Sequence, residues 1–424
     1  MVTELRRSLG VSDAVLVGLG AMVGAGIFAA LGPAARAAGT APGLLAALLA
    51  AGAVAYFNAM ASARLAVRYP ASGGTYVYGR ERLGPFWGYL AGWGFVVGKT
   101  ASCAAMALTV GAYAWPRQAH AVAVASVVAL TAVNYGGVQK SARVTRAIVA
   151  AVLAVLAAVV TVCLTSSAAD AGNLAAGPEA GVAVGSGGFL QAAALLFFAF
   201  AGYARIATLG EEVRDPARTI PRAVPLALGI ALVVYGAVAV AVLCVLGAGA
   251  LAGAPAPLVD AVRAAGSPGW VPVVRVGAAV AALGSLLALV LGVSRTVLAL
   301  ARDGHLPRGL AAVHPRFEVP HHAELAVGAV VALLAATVDL RGAIGFSSFA
   351  VLVYYAVANA SAWTLDSGVR GRAMAALGLS GCLVLAFALP LSSVVAGTAV
   401  LSVGVAVYGA RRLREASVGD RHGG

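Results

Sequence analysis

Apolar positions run along this chain in long blocks, and charges and prolines collect in the short segments between them. A helix rises about 1.5 Å per residue, so about 20 apolar residues cross the hydrocarbon core of a bilayer. Twelve blocks read as spanning helices: roughly 13–36, 43–67, 86–114, 119–137, 145–166, 188–209, 223–249, 272–300, 323–338, 343–364, 373–389 and 391–409. The third is long enough to require a strong tilt, and only a tight turn near Pro390 separates the last two. No tandem repeat of about 20 to 50 residues appears. The pattern predicts an all-α integral membrane protein, one polytopic domain over 1–409 with a basic tail over 410–424.

One block is built against its own helix. "GLGAMVGAGIFAALGP", residues 18–33, places Gly18, Gly20, Gly24 and Gly26 within nine positions, and each glycine weakens a helix interior by about 1 kcal/mol in water. One reading is packing, with Gly20 and Gly24 as a small-xxx-small pair admitting a neighbouring helix. The other is a break at mid-membrane, tolerated where backbone lines a cavity or is buried in protein. The sixth block favours the break, because its aromatics Phe197, Phe198 and Phe200 run at once into Gly202 and Tyr203. Paired breaks at matching positions of two halves mark substrate sites in transporters. Breaking a helix frees N–H groups and a positive dipole end for a carboxylate, and carbonyls for an ammonium or a cation. An α-amino acid needs both.

Composition agrees with the blocks. The 424 residues are 61% hydrophobic and 11% charged, against roughly a quarter charged in a soluble protein. The net charge of +13 does not point to nucleic acid, because the basic residues are scattered between apolar blocks. They report orientation instead. With the N-terminus in the cytoplasm, 22 of the 29 Lys and Arg fall on the cytoplasmic side, and only Arg36, Arg117, Arg263, Arg275 and Arg341 fall outside. Both termini are expected in the cytoplasm, and the basic start is expected to lead into a full span with no cleavable signal. The outer segment 166–188, rich in Gly, Ala and Ser and without a basic residue, reads as a flexible loop. Cys103, Cys163, Cys244 and Cys382 lie in apolar blocks without metal-ligand spacing and read as small buried residues.

Lys99 is the sharpest single feature. It stands 13 residues beyond Phe86, about 20 Å along a helix, and an ionisable residue at that depth is a functional candidate. Its helical neighbours Phe95, Val96, Ser102 and Cys103 include no acid. It can carry a proton, stand in for a bound cation or contact substrate, or be satisfied by carbonyls of a broken helix. Glu211 and Glu212 read as a solvated ion-pair cluster with nearby arginines. His305, His314, His321 and His322 fit no zinc spacing and read as surface residues. No HExxH, intramembrane acid pair or phosphate-binding loop is present, so neither an enzyme, a metal site nor a bound cofactor is expected.

Five segments in order carry a resemblance: "GAGIF" in span one, "YPASGGTYVYGRERLGP" (69–85), "NYGGVQKSARV" (134–144), "FFAFAGY…GEEVRDPARTIPRA" (197–223) and "ARDGHLPRGLAAVHPRFEVP" (301–320). Together they resemble the amino acid–polyamine–organocation superfamily of permeases. The resemblance implies the LeuT-type fold, a 5+5 inverted repeat (about 13–166 and 188–364) with two further helices (about 373–409). It implies substrate contacts at Val23, Gly24, Ala25, Gly26 and Ile27, and at Phe200, Ala201, Gly202 and Tyr203 with an aromatic lid. Ala204 and Arg205 stand where many relatives carry an acid, and span five lacks the lysine of some proton-coupled relatives. A sodium site of the family type would draw on Ser285, Ser294 and Thr296 of span eight. Between proton and sodium, the proton is preferred as coupling ion. The expected function is uptake of a neutral amino acid by alternating access, as symport or exchange. The alternatives are an amine, polyamine or organic-cation transporter, or an amino acid exporter, of the same fold. A side chain at Gly26 is expected to fill the site.

Overall fold

The computed structural model describes residues 9–70, 73–137, 142–177, 187–209, 212–365 and 368–419. Thr40 shows how its helices begin: its hydroxyl accepts from Gly43 N at 3.1 Å, and Pro42 fills the first turn. The proline has no N–H to leave unpaired there. Span two then runs unbroken from Ala41 to Arg68. Span three (Pro85–Ala114), four (Ala119–Tyr135), five (Ala142–Leu164), seven (Pro216–Gly253) and eight (Val271–Arg302) follow the apolar blocks. So do ten (Leu340–Trp363), eleven (Gly368–Ala388) and twelve (Leu391–Gly419).

Among the described residues, eleven helices are long and apolar enough to cross a membrane. The ninth block forms a shorter apolar helix, His321–Thr337, so the expected count of twelve rests on one helix below full length. The last helix continues through Gly419, so much of the expected tail extends span twelve. Among the described residues no strand forms; the nearest approach is an isolated parallel bridge between Leu9 and Val213.

Two blocks of helices hold the core. Span two lies along spans six, seven and eleven, and span one along span seven. Span three lies along spans eight and ten, and span nine along span four. Small residues let these helices approach: a β-carbon on Gly98 would meet Ala350 Cβ at 2.9 Å, and one on Gly277 would meet Val155 at 2.8 Å.

The segment between spans five and six is less free than its composition suggests. Span seven kinks at Gly247, whose φ of 68° is left-handed. Asp170 N and Asn173 Nδ2 both reach the Cys244 carbonyl one turn earlier, at 2.9 Å. The stretch Ala171–Leu174 is thereby docked on span seven as a 3-10 turn, while 178–186 lie outside the described residues. Of the histidines, His314 and His321 are half-buried in rings around Tyr135, and His305 packs on Tyr89 at 4.9 Å. They are less exposed than expected.

Candidate functional site

Span one comes apart where its glycines fall. Val11–Met22 ends at Val23 (φ −77°, ψ 57°) and Gly24 (φ −114°, ψ −140°), and the chain resumes as Ala25–Ala29 and Leu31–Ala38. The first four N–H groups of the resumed helix have no carbonyl one turn earlier to bond. At the other edge, Met22 O accepts from Gly24 N at 2.7 Å in a tight turn. Val23, Ala25, Gly26 and Ile27 are all buried, so the irregular backbone lies inside protein, as mid-membrane breaks require.

The break in span six has a different form from the expected unwinding. Gly188–Phe200 tightens into a 3-10 turn, Ala201–Tyr203, and resumes for one turn over Ala204–Ala207. The backbone stays in the right-handed helical region from Phe200 to Ala204, but the change of bonding pattern still leaves carbonyls at the junction for other donors. Ala201 O accepts from Lys99 Nζ at 3.3 Å and from Tyr355 Oη at 3.2 Å. Lys99, 8% exposed, is therefore held by a carbonyl at the helix junction, and the side chain and the break sit together.

The two breaks touch. A β-carbon on Gly202 would collide with the carbonyl of Ala21 and lie 2.7 Å from Met22 N. One on Gly26 would lie 2.5 Å from Ala199 Cα, and one on Gly24 would collide with Ser285 Oγ of span eight. The missing side chain of Gly26, a residue expected at the site, admits the backbone of span six. Ser294 and Thr296 bond the Val290 and Gly292 carbonyls of their own helix, at 2.8 and 3.2 Å. Of the three hydroxyls considered for sodium, Ser285 is the one set against span one.

The aromatics divide. Phe197 meets Tyr355 edge-on at 5.9 Å, and Phe200 meets Tyr235 of span seven at 5.2 Å. Tyr203 stacks on Tyr355 at 5.0 Å. Phe200 and Tyr203 thus pack into neighbouring spans. Phe198, 8% exposed where Phe197 and Phe200 are fully buried, is the member of the run with accessible surface.

Two residues escaped the sequence reading. Tyr235 Oη lies 2.7 Å from Met22 O and 3.1 Å from Ala199 O, sharing one proton between the ends of both broken helices. A lone tyrosine in "ALVVYGAVAV" carries no pattern that announces this. Glu324, at the start of span nine beside two histidines, is fully buried. The expected ion-pair cluster at Glu211 and Glu212 is testable only at Glu212, which acts electrostatically on Arg205; Glu211 lies outside the described residues. Among the described residues no group of His, Cys, Asp or Glu is placed to hold a metal.

Comparison with known proteins meets this geometry from outside. The sequence profile of the family described as "Amino acid permease" matches residues 13–407, from the start of span one to the body of span twelve. An uncharacterized transporter of Mycobacterium tuberculosis is 72% identical over 412 residues, covering 97% of this chain and 92% of the relative. The branched-chain amino acid permease BcaP of Bacillus subtilis is 28% identical over 80% of this chain and 76% of its own. The chloroplastic cationic amino acid transporter 7 of Arabidopsis thaliana is 29% identical over 84% of this chain and 65% of its own. With its apolar helices and touching breaks spanned end to end by that profile, the chain belongs to the amino acid permease family, a family of multi-pass membrane transporters.

Proposed function

We propose that this protein takes up neutral amino acids across the cytoplasmic membrane by alternating access, driven by protons, with both termini in the cytoplasm. The contact between the span-one and span-six breaks carries this reading. A zwitterion needs N–H donors for its carboxylate and carbonyls for its ammonium, and the Val23–Ile27 and Phe200–Tyr203 segments offer both within one buried region. Phe198 is the candidate lid over it. The two-repeat division at about 13–166 and 188–364 places the breaks at the start of each half.

Lys99 favours neutral substrates over cationic ones. Its ammonium on the Ala201 carbonyl stands where a bound cation would otherwise satisfy the broken helix. A cationic side chain entering beside it meets like charge, which costs several kcal/mol in a desolvated site. The same ammonium suits a proton-driven cycle, since it already supplies positive charge at the break without sodium. Relatives named for branched-chain and for cationic amino acids bracket the choice, and Lys99 favours the first.

Counterflow in liposomes tests this without assuming the driving ion. Vesicles preloaded with unlabelled amino acids receive labelled leucine, alanine, serine, glutamate or arginine, with and without sodium. Accumulation of neutral amino acids independent of sodium is expected. Exchange of arginine alone overturns the substrate class, strict sodium dependence overturns the driving ion, and absence of any exchange by folded protein overturns amino acid transport.

A further inference from the structure

Lys99 and Glu324 are the two formally charged side chains buried in the described protein, and only Lys99 has a hydrogen-bond partner. Glu324 is 0% exposed, and neither of its carboxyl oxygens has a donor. It sits in the first turn of span nine, where its backbone N–H bonds Pro320 O at 2.9 Å. The helix face it belongs to packs on span four: one turn on, a β-carbon at Gly328 would lie 2.5 Å from Thr131 Oγ1, itself without a partner. In the same corner Asn134 of span four donates to Leu287 O of span eight at 3.2 Å.

An unpaired carboxylate costs several kcal/mol to remove from water, and far less once it holds a proton. Two features pull the other way. The first turn of a helix favours negative charge, and Arg295 of span eight acts on Glu324 electrostatically without an ion pair between them. Arg295 is itself exposed, although it lies within the apolar block of span eight. Other ionisable groups nearby face elsewhere. His321 turns to His314, His322 and Tyr135. Lys99 of span three lies on Ala201 O and His120 of span four on Ala335 O, and Arg308, in the turn Arg308–Ala311 that also packs on span nine, is exposed. A buried carboxyl held between burial and a neighbouring guanidinium is poised to gain and lose a proton.

We propose that Glu324 binds and releases the driving proton, with Arg295 as the cation that stabilises its carboxylate. In the buried arrangement the carboxyl keeps its O–H. As the corner between spans four, eight and nine opens, the O–H bond breaks, the proton passes to water, and the carboxylate remains facing Arg295. This rests on the transport reading above, and places the proton site on span nine, apart from the substrate segments.

The test compares wild type, Glu324→Gln and Arg295→Gln in liposomes, using the labelled amino acid that gives most counterflow in the wild type. Glu324→Gln is expected to retain counterflow within about twofold and to lose accumulation under an imposed proton gradient, with lumenal dye reporting no substrate-linked proton entry. Arg295→Gln, which removes the cation favouring the carboxylate, is expected to move the pH of half-maximal uptake upward by about one unit. Glu324→Gln that concentrates substrate as wild type does overturns the proposal. So does an Arg295→Gln profile that is unmoved or moves downward, which decides the matter if Glu324→Gln does not reach the bilayer. Wild-type protein without counterflow overturns the transport reading, and this proposal with it.

Discussion

Gly202 rests on the backbone of Ala21: a β-carbon at 202 would strike the Ala21 carbonyl. That contact joins the turn in span six to the end of the first half of span one, so the two irregular segments share one wall. Gly26 makes the reciprocal contact, with a β-carbon placed 2.5 Å from Ala199 Cα. Neither neighbour is the far end of a flexible side chain, so neither yields cheaply.

Gly202→Ala and Gly26→Ala are therefore expected to abolish counterflow, by forcing the two breaks apart. Gly229→Ala in span seven, where nothing lies within 4 Å of the added carbon, is expected to transport normally and gain slightly in helix stability. Transport by Gly202→Ala at wild-type rates, with equal protein in the membrane, would show that the breaks need not touch.

Tyr235 holds both breaks through one hydroxyl. Tyr235→Phe keeps the ring on Phe200 and strips the donor from Met22 O and Ala199 O. Met22 O keeps its bond from Gly24 N, but a buried hydrogen bond to the two breaks is lost, worth about 0.5–1.5 kcal/mol, so the melting temperature in detergent should fall measurably. Exchange should slow by about tenfold or more, since about 1.4 kcal/mol is a tenfold effect. Unchanged melting and exchange would remove Tyr235 from the machinery.

What was legible in the sequence followed from local rules. Glycines clustered in an apolar block mark a helix that cannot hold together, and span one breaks among them. The span-six break was legible in place and not in form. A 3-10 turn differs from an unwound segment by the bonding of a few carbonyls, which Lys99, Tyr355 and Tyr235 complete from spans three, ten and seven. Such long-range partners leave no periodic trace. The direction of Phe200 was hidden for the same reason, because the gap it fills beside Gly52 and Tyr235 is made by other helices. Glu324 was hidden by its position next to His321 and His322, where a loop ends and a buried helix face begins.

Lys99→Met keeps the stem and removes the charge. If the ammonium excludes cationic substrates, arginine counterflow relative to leucine should rise by about tenfold or more, the equivalent of about 1.4 kcal/mol. Leucine exchange should weaken as well, because Ala201 O loses one of its two donors. A variant that still rejects arginine while exchanging leucine would show that Lys99 acts on structure and not on specificity.

A latch on the N-terminal side of the bundle should be insensitive to pH in the physiological range. Tyr76, in the short helix Thr75–Leu83, donates to Asp303 at the end of span eight, and Arg80 reaches the same carboxylate at 3.5 Å. Burial of the phenol, and then its bond to Asp303, hold its pKa well above the usual tyrosine value. A group whose pKa is raised by folding contributes stability that is whole below its unfolded value, about 10, and is lost as pH climbs through the folded value. Between pH 6 and 9 the phenol stays protonated and the bond stays made. The loss of stability in Tyr76→Phe should then be constant across that range, read as melting temperature in detergent at each pH. A difference that vanishes towards pH 9 would mean that the phenol ionises there and that Asp303 does not hold it.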